Sequence, residues 1–313
     1  MLRFMPEYHN KPWGGRRLET ILGRALPAGP VGEAWELVDL DGRSSAVVGD
    51  ARRSLAELWH AGELGGSGQG RFPFLLKWLD THDWLSVQVH PDAEASRRLS
   101  KASPKTEAWF VAHAEPNATI KIGHYPGLDA DALAIAAGNG TVANWMREIA
   151  PAAGHMVLVP AGTLHAIGPG YLLLEVQQPS DTTFRLYDWG RKDANGQPRP
   201  LHLEAGLQAV RYDTPGRIPV HQHTVVGPCF HMQKLARGSR VGAQLLRVFV
   251  GLPGATSRVT TEHGERHIGG GEVVVFEAGD GPVEIQSGEV VWLTEPLAGA
   301  GGAVWAVPPQ QHQ

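Results

Sequence analysis

Cysteine is almost absent: Cys229 is the only one in 313 residues. That excludes an intramolecular disulfide and any zinc cluster built from several thiolates. In the run Pro-Cys-Phe-His-Met it sits among apolar neighbours and reads as a small buried hydrophobe. An excess of either charge is also missing. The 28 lysines and arginines against 32 acidic residues leave a formal charge of −4, too weak for a nucleic-acid or anionic-membrane surface. Any phosphate this chain binds must therefore be met by a local cluster of positive charge. No apolar run approaches the roughly 18 residues of a membrane span. The opening MLRFMPEYHNKPWGG lacks the apolar stretch and cleavage site of a secretion signal. The expectation is a protein of the reducing cytoplasm, with no nucleic-acid or membrane partner.

Glycine (39) and proline (23) are plentiful and dispersed, as in a chain of many short strands joined by turns. FPFLLKWL and WLSVQVHP read as strands separated by the turn DTHD, and EAWFVAHA as another. SLAELWHAGEL begins with a serine N-cap ahead of helical spacing, and HLEAGLQAVRY also reads as a helix. Residues 126–150 turn alanine-rich and predict a small helical insertion between strands. GHMVLVPAGTLH (154–165) and GEVVVFEAGDGP (271–282) align without gaps, with Pro160 replaced by Glu277 and His165 by Pro282. This echo predicts two related β-barrels, one with a histidine at its turn and one without.

In WLSVQVHP the period of two places Ser86, Gln88 and His90 on one face of a strand. Burying such a polar face costs a few kcal/mol per group unless the groups are paired. Glu107 opens the next strand and His165 closes a very apolar one. Two imidazoles, a carboxylate and an amide oxygen suit a divalent metal, zinc best, with Fe(II) and Mn(II) as alternatives. His221 and His223 share the His-x-His spacing but lack a following carboxylate motif, and rank second.

The run Gly154-x5-Pro160-x-Gly162-x2-His165 matches the second cupin motif as far as its histidine. LSVQVHPD, KTEAWF and GTLHAIGPGYLLLEVQQPSDTTFRLYDWGR, with the opening KPWGG…GEAWE, resemble the type I phosphomannose isomerases in their short bacterial form. The likeness is good over residues 1 to about 215 and beyond that is one of general layout.

The resemblance implies a mainly β fold of two cupin-like (jelly-roll) barrels. Residues 1–230 would form the catalytic domain and 231–313 a degenerate barrel without metal ligands. It implies a cytoplasmic, metal-dependent isomerase of mannose 6-phosphate and fructose 6-phosphate, acting on a small sugar phosphate as a monomer or homodimer. The ligands of one zinc per chain fall on Gln88, His90, Glu107 and His165. The catalytic arginine falls on Arg185, the lysine beside the ligand glutamate on Lys105, and two acidic residues on Glu175 and Asp181. Phosphate contacts fall on Lys77, Ser86 and Arg191. One departure stands out: Pro104 occupies the place of a histidine that fungal and enteric relatives carry before that lysine. The alternatives from the residues are a cupin Fe(II) dioxygenase and a non-catalytic sugar-binding cupin.

Overall fold

The computed structural model describes residues 1–192, 196–214 and 218–296; the remainder of the expected C-terminal domain lies outside the described residues. In chain order the first strands are β1 (Glu7–Gly15), β2 (Val31–Leu37), β3 (Leu75–Thr81), β4 (Val87–Val89), β5 (Glu107–Ala114) and β6 (Ile120–His124). There follow β7 (Met146–Ile149), β8 (Met156–Val159), β9 (His165–Ile167), β10 (Tyr171–Gln177), β11 (Phe184–Tyr187) and β12 (Val220–His221). They make a large sheet, β1-β2-β3-β10-β5-β8-β12, and a small one, β7-β6-β9-β4-β11. All pairings are antiparallel. Strands adjacent in space are distant in sequence, as in a jelly roll.

The helices sit where local chemistry starts them. Ser54 and Glu57 close a capping box over α1 (Leu55–His60). Asp92 caps α2 (Ala93–Arg98), and Asp129 caps α3 (Ala130–Gly138); α4 spans Leu203–Ala209. The insertion at 126–150 is only partly helical. After α3 and a short 3-10 turn, residues 146–149 pair with β6 as an edge strand, and Lys121 meets Glu148 across the pair at 3.1 Å. That cross-strand ion pair is a partner the alanine-rich pattern does not reveal.

A second group of strands follows: β13 (Thr224–Val226), β14 (His231–Ala236), β15 (Arg240–Val241), β16 (Arg247–Gly251), β17 (Ser257–Thr261), β18 (Gly264–Ile268), β19 (Val273–Phe276), β20 (Val283–Ser287) and β21 (Glu289–Thr294). Its sheets run β13-β14-β21-β16-β19 and β15-β20-β17-β18. The order β14-β21-β16-β19 repeats β3-β10-β5-β8, and β18-β17-β20-β15 repeats β7-β6-β9-β4. The fold is thus mainly β, in two jelly-roll units, as expected.

The large sheet of the first unit is buried on both faces. In β10 every residue is buried, and the period of two divides them. Leu172, Leu174 and Val176 join Leu76, Trp78 and Phe110 in a core shared with Val248, Val250, Val291 and Leu293 of the second unit. Leu173 and Tyr171 pack inward with Leu79, Trp109 and Val157. The second unit thus covers an apolar sheet face that water would otherwise meet.

The sequence echo keeps its register. Val159 of β8 stands opposite Glu107, and Phe276 of β19, its counterpart, opposite Arg247. Arg247 therefore holds the position of Glu107 in the second unit. It is fully buried and donates to the carbonyls of Glu277, at 2.6 Å, and Gly281, in the turn corresponding to the one before His165. A fixed guanidinium replaces a carboxylate there, and among the described residues this unit contributes none to a cluster that could hold a metal ion. Arg247→Met would take the donor from the Gly281 carbonyl, while the Glu277 carbonyl keeps the Asp280 N–H at 2.9 Å, a loss of about 1–3 kcal/mol. Denaturant unfolding should show it as a lowered midpoint with metal content unchanged; an unaltered midpoint would refute this account.

Candidate metal centre

The small sheet brings His165, Gln88 and Arg185 into one row, His165 opposite Gln88 and Gln88 opposite Arg185. His90 follows β4, and Glu107 opens β5 on the facing sheet. Gly162 shapes the turn before His165: its φ of +86° lies in the left-handed region, and its N–H donates to the His90 carbonyl at 2.7 Å.

The side chains converge. Donor atoms of His90, Glu107 and His165 lie within 4.8 Å of one another, and all three residues are buried. His90 Nε2 is 3.2 Å from Glu107 Oε2, and His165 Nε2 is 3.4 Å from Glu107 Oε1. The Gln88 amide lies 3.1 Å from His165 Nε2. Each imidazole is held by its other nitrogen. His90 Nδ1 donates to the Thr182 carbonyl and His165 Nδ1 to that of Thr163, both at 2.9 Å. A carbonyl only accepts, so both neutral rings carry the proton on Nδ1 and aim the Nε2 lone pair at Glu107.

This set fits a divalent cation. A tetrahedral site with bonds of about 2.0–2.1 Å has donors about 3.3 Å apart, close to the two His–Glu spacings. Gln88, His90, Glu107 and His165 are the residues that could hold it. Among the described residues His221 and His223 join no such cluster.

Lys105 completes the charge pattern. Its Nζ is 2.8 Å from Glu107 Oε2, 3.2 Å from His90 Nε2 and 3.9 Å from Glu175 Oε1. Glu175 also accepts from Trp109 Nε1 at 2.9 Å and faces Lys77 Nζ at 3.5 Å. Burial pushes the His90 ring down to about 3, helped by the Lys105 ammonium. Burial would raise Glu107, but the Lys105 ammonium outweighs it and holds the carboxyl well below its usual range. Glu175 is raised, by burial and then by the charge of Glu107. Lys105 is raised because its two carboxylate neighbours overcome its burial.

A cavity of about 250 Å³ adjoins this cluster through Gln88 and Lys105. Of the residues singled out in the sequence, Lys77, Ser86, Glu175, Asp181 and Arg185 also line it. Glu175 and Arg185 lie on opposite sheets and line the same cavity. Asp181 is exposed. Arg191 does not line the cavity: its guanidinium donates to Asp188 at 2.6 Å and to the Trp84 carbonyl at 2.5 Å. Sequence reasoning missed Lys11, Trp13, Glu33, Thr183 and Arg199, which share the wall. The alternation of Glu33 with Trp35 on β2 was a usable signal; nothing local marks Arg199.

Residues 1–129 match the family described as phosphomannose isomerase type I, catalytic domain. The chain is 38% identical over 214 residues to a mannose-6-phosphate isomerase of Streptococcus mutans, covering 67% of each chain. It is 37% identical over 230 residues to the mannose-6-phosphate isomerase ManA of Bacillus subtilis, covering 72% of each. A crystal structure of the mannose 6-phosphate isomerase from Bacillus subtilis superposes with a TM-score of 0.81 at 27% identity, over 94% of this chain and 98% of that one.

Glu33 supplies a test of the cavity's electrostatics. Burial alone would raise its carboxyl, but Lys77, Lys11 and the Trp35 indole bring it from 4.5 down to about 2. The folded group is more acidic than the unfolded one, so its stabilisation is complete above about pH 5 and vanishes as pH falls towards 2. Glu33→Gln should therefore lower stability at pH 7 by on the order of 2–3 kcal/mol, with the deficit shrinking by pH 3. Urea unfolding at both pH values reads this; a deficit independent of pH would overturn it.

Proposed function

The chain belongs to the type I phosphomannose isomerase family, and we propose that it interconverts mannose 6-phosphate and fructose 6-phosphate by moving a proton between C2 and C1. One observation carries the reading: the buried His90–Glu107–His165 cluster adjoins a cavity whose wall holds Lys105, Glu175 and Arg185. Neither an Fe(II) dioxygenase nor a passive sugar binder is favoured. The relatives are isomerases, and a binder has no need of a buried lysine and a half-buried arginine beside a complete ligand set.

Gln88, His90, Glu107 and His165 would hold one divalent cation, and their nitrogen and oxygen donors favour zinc over Fe(II) or Mn(II). When bound, such a cation supplies Lewis-acid stabilisation of negative charge on the sugar oxygens. The rest of the chemistry belongs to side chains. The enediolate formed by proton removal carries negative charge, which Arg185, half-buried beside Gln88, stabilises with fixed donors. Glu175 and Lys105 are the proposed proton carriers. The carboxyl, made less acidic by burial, accepts the proton, and the ammonium, pinned between Glu107 and Glu175, supplies one to a sugar oxygen. Lys77 pairs with Glu175 and sits 4.6 Å from the Trp35 ring centroid, which orients the carboxylate as well as offering charge to a phosphate. Ser86 lies on the same face as Gln88, its hydroxyl 3.2 Å from the amide oxygen, and is placed to donate to a substrate oxygen. Asp181 stands at the rim.

Every group named comes from one chain, which suits a monomer or a homodimer of independent sites. No described helix is long and apolar enough to cross a membrane; the proposed setting is the cytoplasm.

The test is a coupled isomerase assay with metal analysis of the same preparations. Wild-type protein should turn over mannose 6-phosphate without oxygen and exchange solvent deuterium into C1 or C2. His165→Ala should lose metal and activity together. Arg185→Ala should keep its metal and lose about 100- to 1,000-fold in kcat. Metal-loaded wild type that leaves mannose 6-phosphate unchanged would end the proposal.

A further inference from the structure

The charges on the cavity wall do not balance, and the surplus has an address. Five cationic side chains line it, Lys11, Lys77, Lys105, Arg185 and Arg199, against three carboxylates, Glu33, Glu175 and Asp181. The lysines are answered inside the wall: Lys11 meets Glu33 at 3.1 Å, and Lys77 and Lys105 both face Glu175. The two arginines are not. Arg199 donates from Nε and Nη2 to Asp188, at 2.6 and 2.5 Å, and Asp188 also serves Arg191 at 2.6 Å. Arg185 donates to the Pro200 carbonyl at 2.9 Å and has a buried Nε without a partner. Asp188 thus holds two guanidiniums with a third beside them, Asp83 meets Arg191 at 3.6 Å from outside, and three guanidiniums against two carboxylates leave this end of the cavity net positive.

The segment carrying Arg199 is fixed to the small sheet. Pro198 bridges to Lys192, Pro200 takes the Arg185 hydrogen bond, and the His202 N–H donates to the Arg185 carbonyl at 2.8 Å while its ring nitrogen accepts from the Arg185 N–H at 3.1 Å. Arg185 is opposite Gln88 on β4, and Ser86 lies two residues along the same face. Ser86, Arg185 and Arg199 thus line one cavity, a hydroxyl with two forked donors. A phosphate monoester brings −1.5 to −2 charges and several acceptor oxygens, and guanidinium forks match it.

We infer that Arg199 binds the phosphate of the substrate, and that Asp188 is the positioning residue that aims it. Arg191, which the family likeness assigns to phosphate, is instead a brace: it ties Asp188 to the Trp84 carbonyl from outside the cavity. The inference rests on the isomerase reading above and adds a residue to it.

The experiment compares wild type with Arg199→Ala, Arg199→Lys and Asp188→Asn. For Arg199→Ala the KM for mannose 6-phosphate should rise about 10- to 100-fold with kcat changed less than about threefold, the pattern of lost uniform binding. Competitive inhibition by inorganic phosphate should weaken by a similar factor. Arg199→Lys should recover part of both, since it keeps the charge and loses the fork. Asp188→Asn should move both constants in the same direction with metal content unchanged, which a purely structural role would not do. Unchanged KM and unchanged phosphate inhibition in Arg199→Ala would overturn the inference, as would finding the phosphate effect in Arg191→Ala instead. Calorimetric binding of inorganic phosphate to wild type and Arg199→Ala needs no turnover. It therefore tests Arg199 even if the wild type proves inactive on mannose 6-phosphate, a result that would count against the isomerase reading alone.

Discussion

Burial of the Glu107 carboxylate is the constraint on which the rest of this structure depends. A charge removed from water must meet opposite charge or donors nearby. Glu107 meets the Lys105 ammonium at 2.8 Å, while two imidazole nitrogens within 3.4 Å turn only lone pairs towards it. The same rule propagates across the sheet. Lys105 reaches Glu175, Glu175 reaches Lys77, and Lys77 and Lys11 together depress Glu33. The inner face of the large sheet thus carries a row of alternating sign amid tryptophan and leucine. Each member is tolerated only because its neighbours are present, and the row forms the floor against which a small polyhydroxylated anion can be set.

The other face of the same sheet explains the second unit. In its central strands β3, β5 and β10 the side chains of Leu76, Trp78, Phe110, Leu172, Leu174 and Val176 share a core with residues between 225 and 293. Among the described residues none around the cavity comes from that unit, whose described strands pack behind the reactive sheet. Its own core repeats the strand order of the first, with an arginine in the register position of the carboxylate. The two terminal nitrogens of that arginine are taken by turn carbonyls; a carboxylate among lone pairs calls for a cation instead.

Much of the candidate site was legible in the chain. Gln88 and His90 could be paired by strand period, and His165 by the glycine-proline-glycine run before it. Glu175 and Arg185 came from family likeness, and the structure puts them on facing sheets. The edge strand at 146–149 was hidden because its partner, β6, is what makes it a strand. Arg191 and Arg199 differ by eight positions and look equally basic and equally loop-borne. Only the tertiary arrangement around Asp188 sends one into the cavity and the other against the backbone at Trp84.

By itself the sequence determined which faces are apolar, where helices are capped, that the chain is β-rich with a repeated motif, and which donor types are available for a metal. These follow from period, composition and local hydrogen bonding, which act over a few residues. The tertiary structure decided which donors meet and which charges are left over. Distances between β4, β5, β9 and β11 are set by sheet register and by the separation of two sheets, and no local pattern encodes either. The surplus of positive charge beside Arg185 is a property of neighbours brought together from residues 86 to 199, so it exists only once the chain has folded.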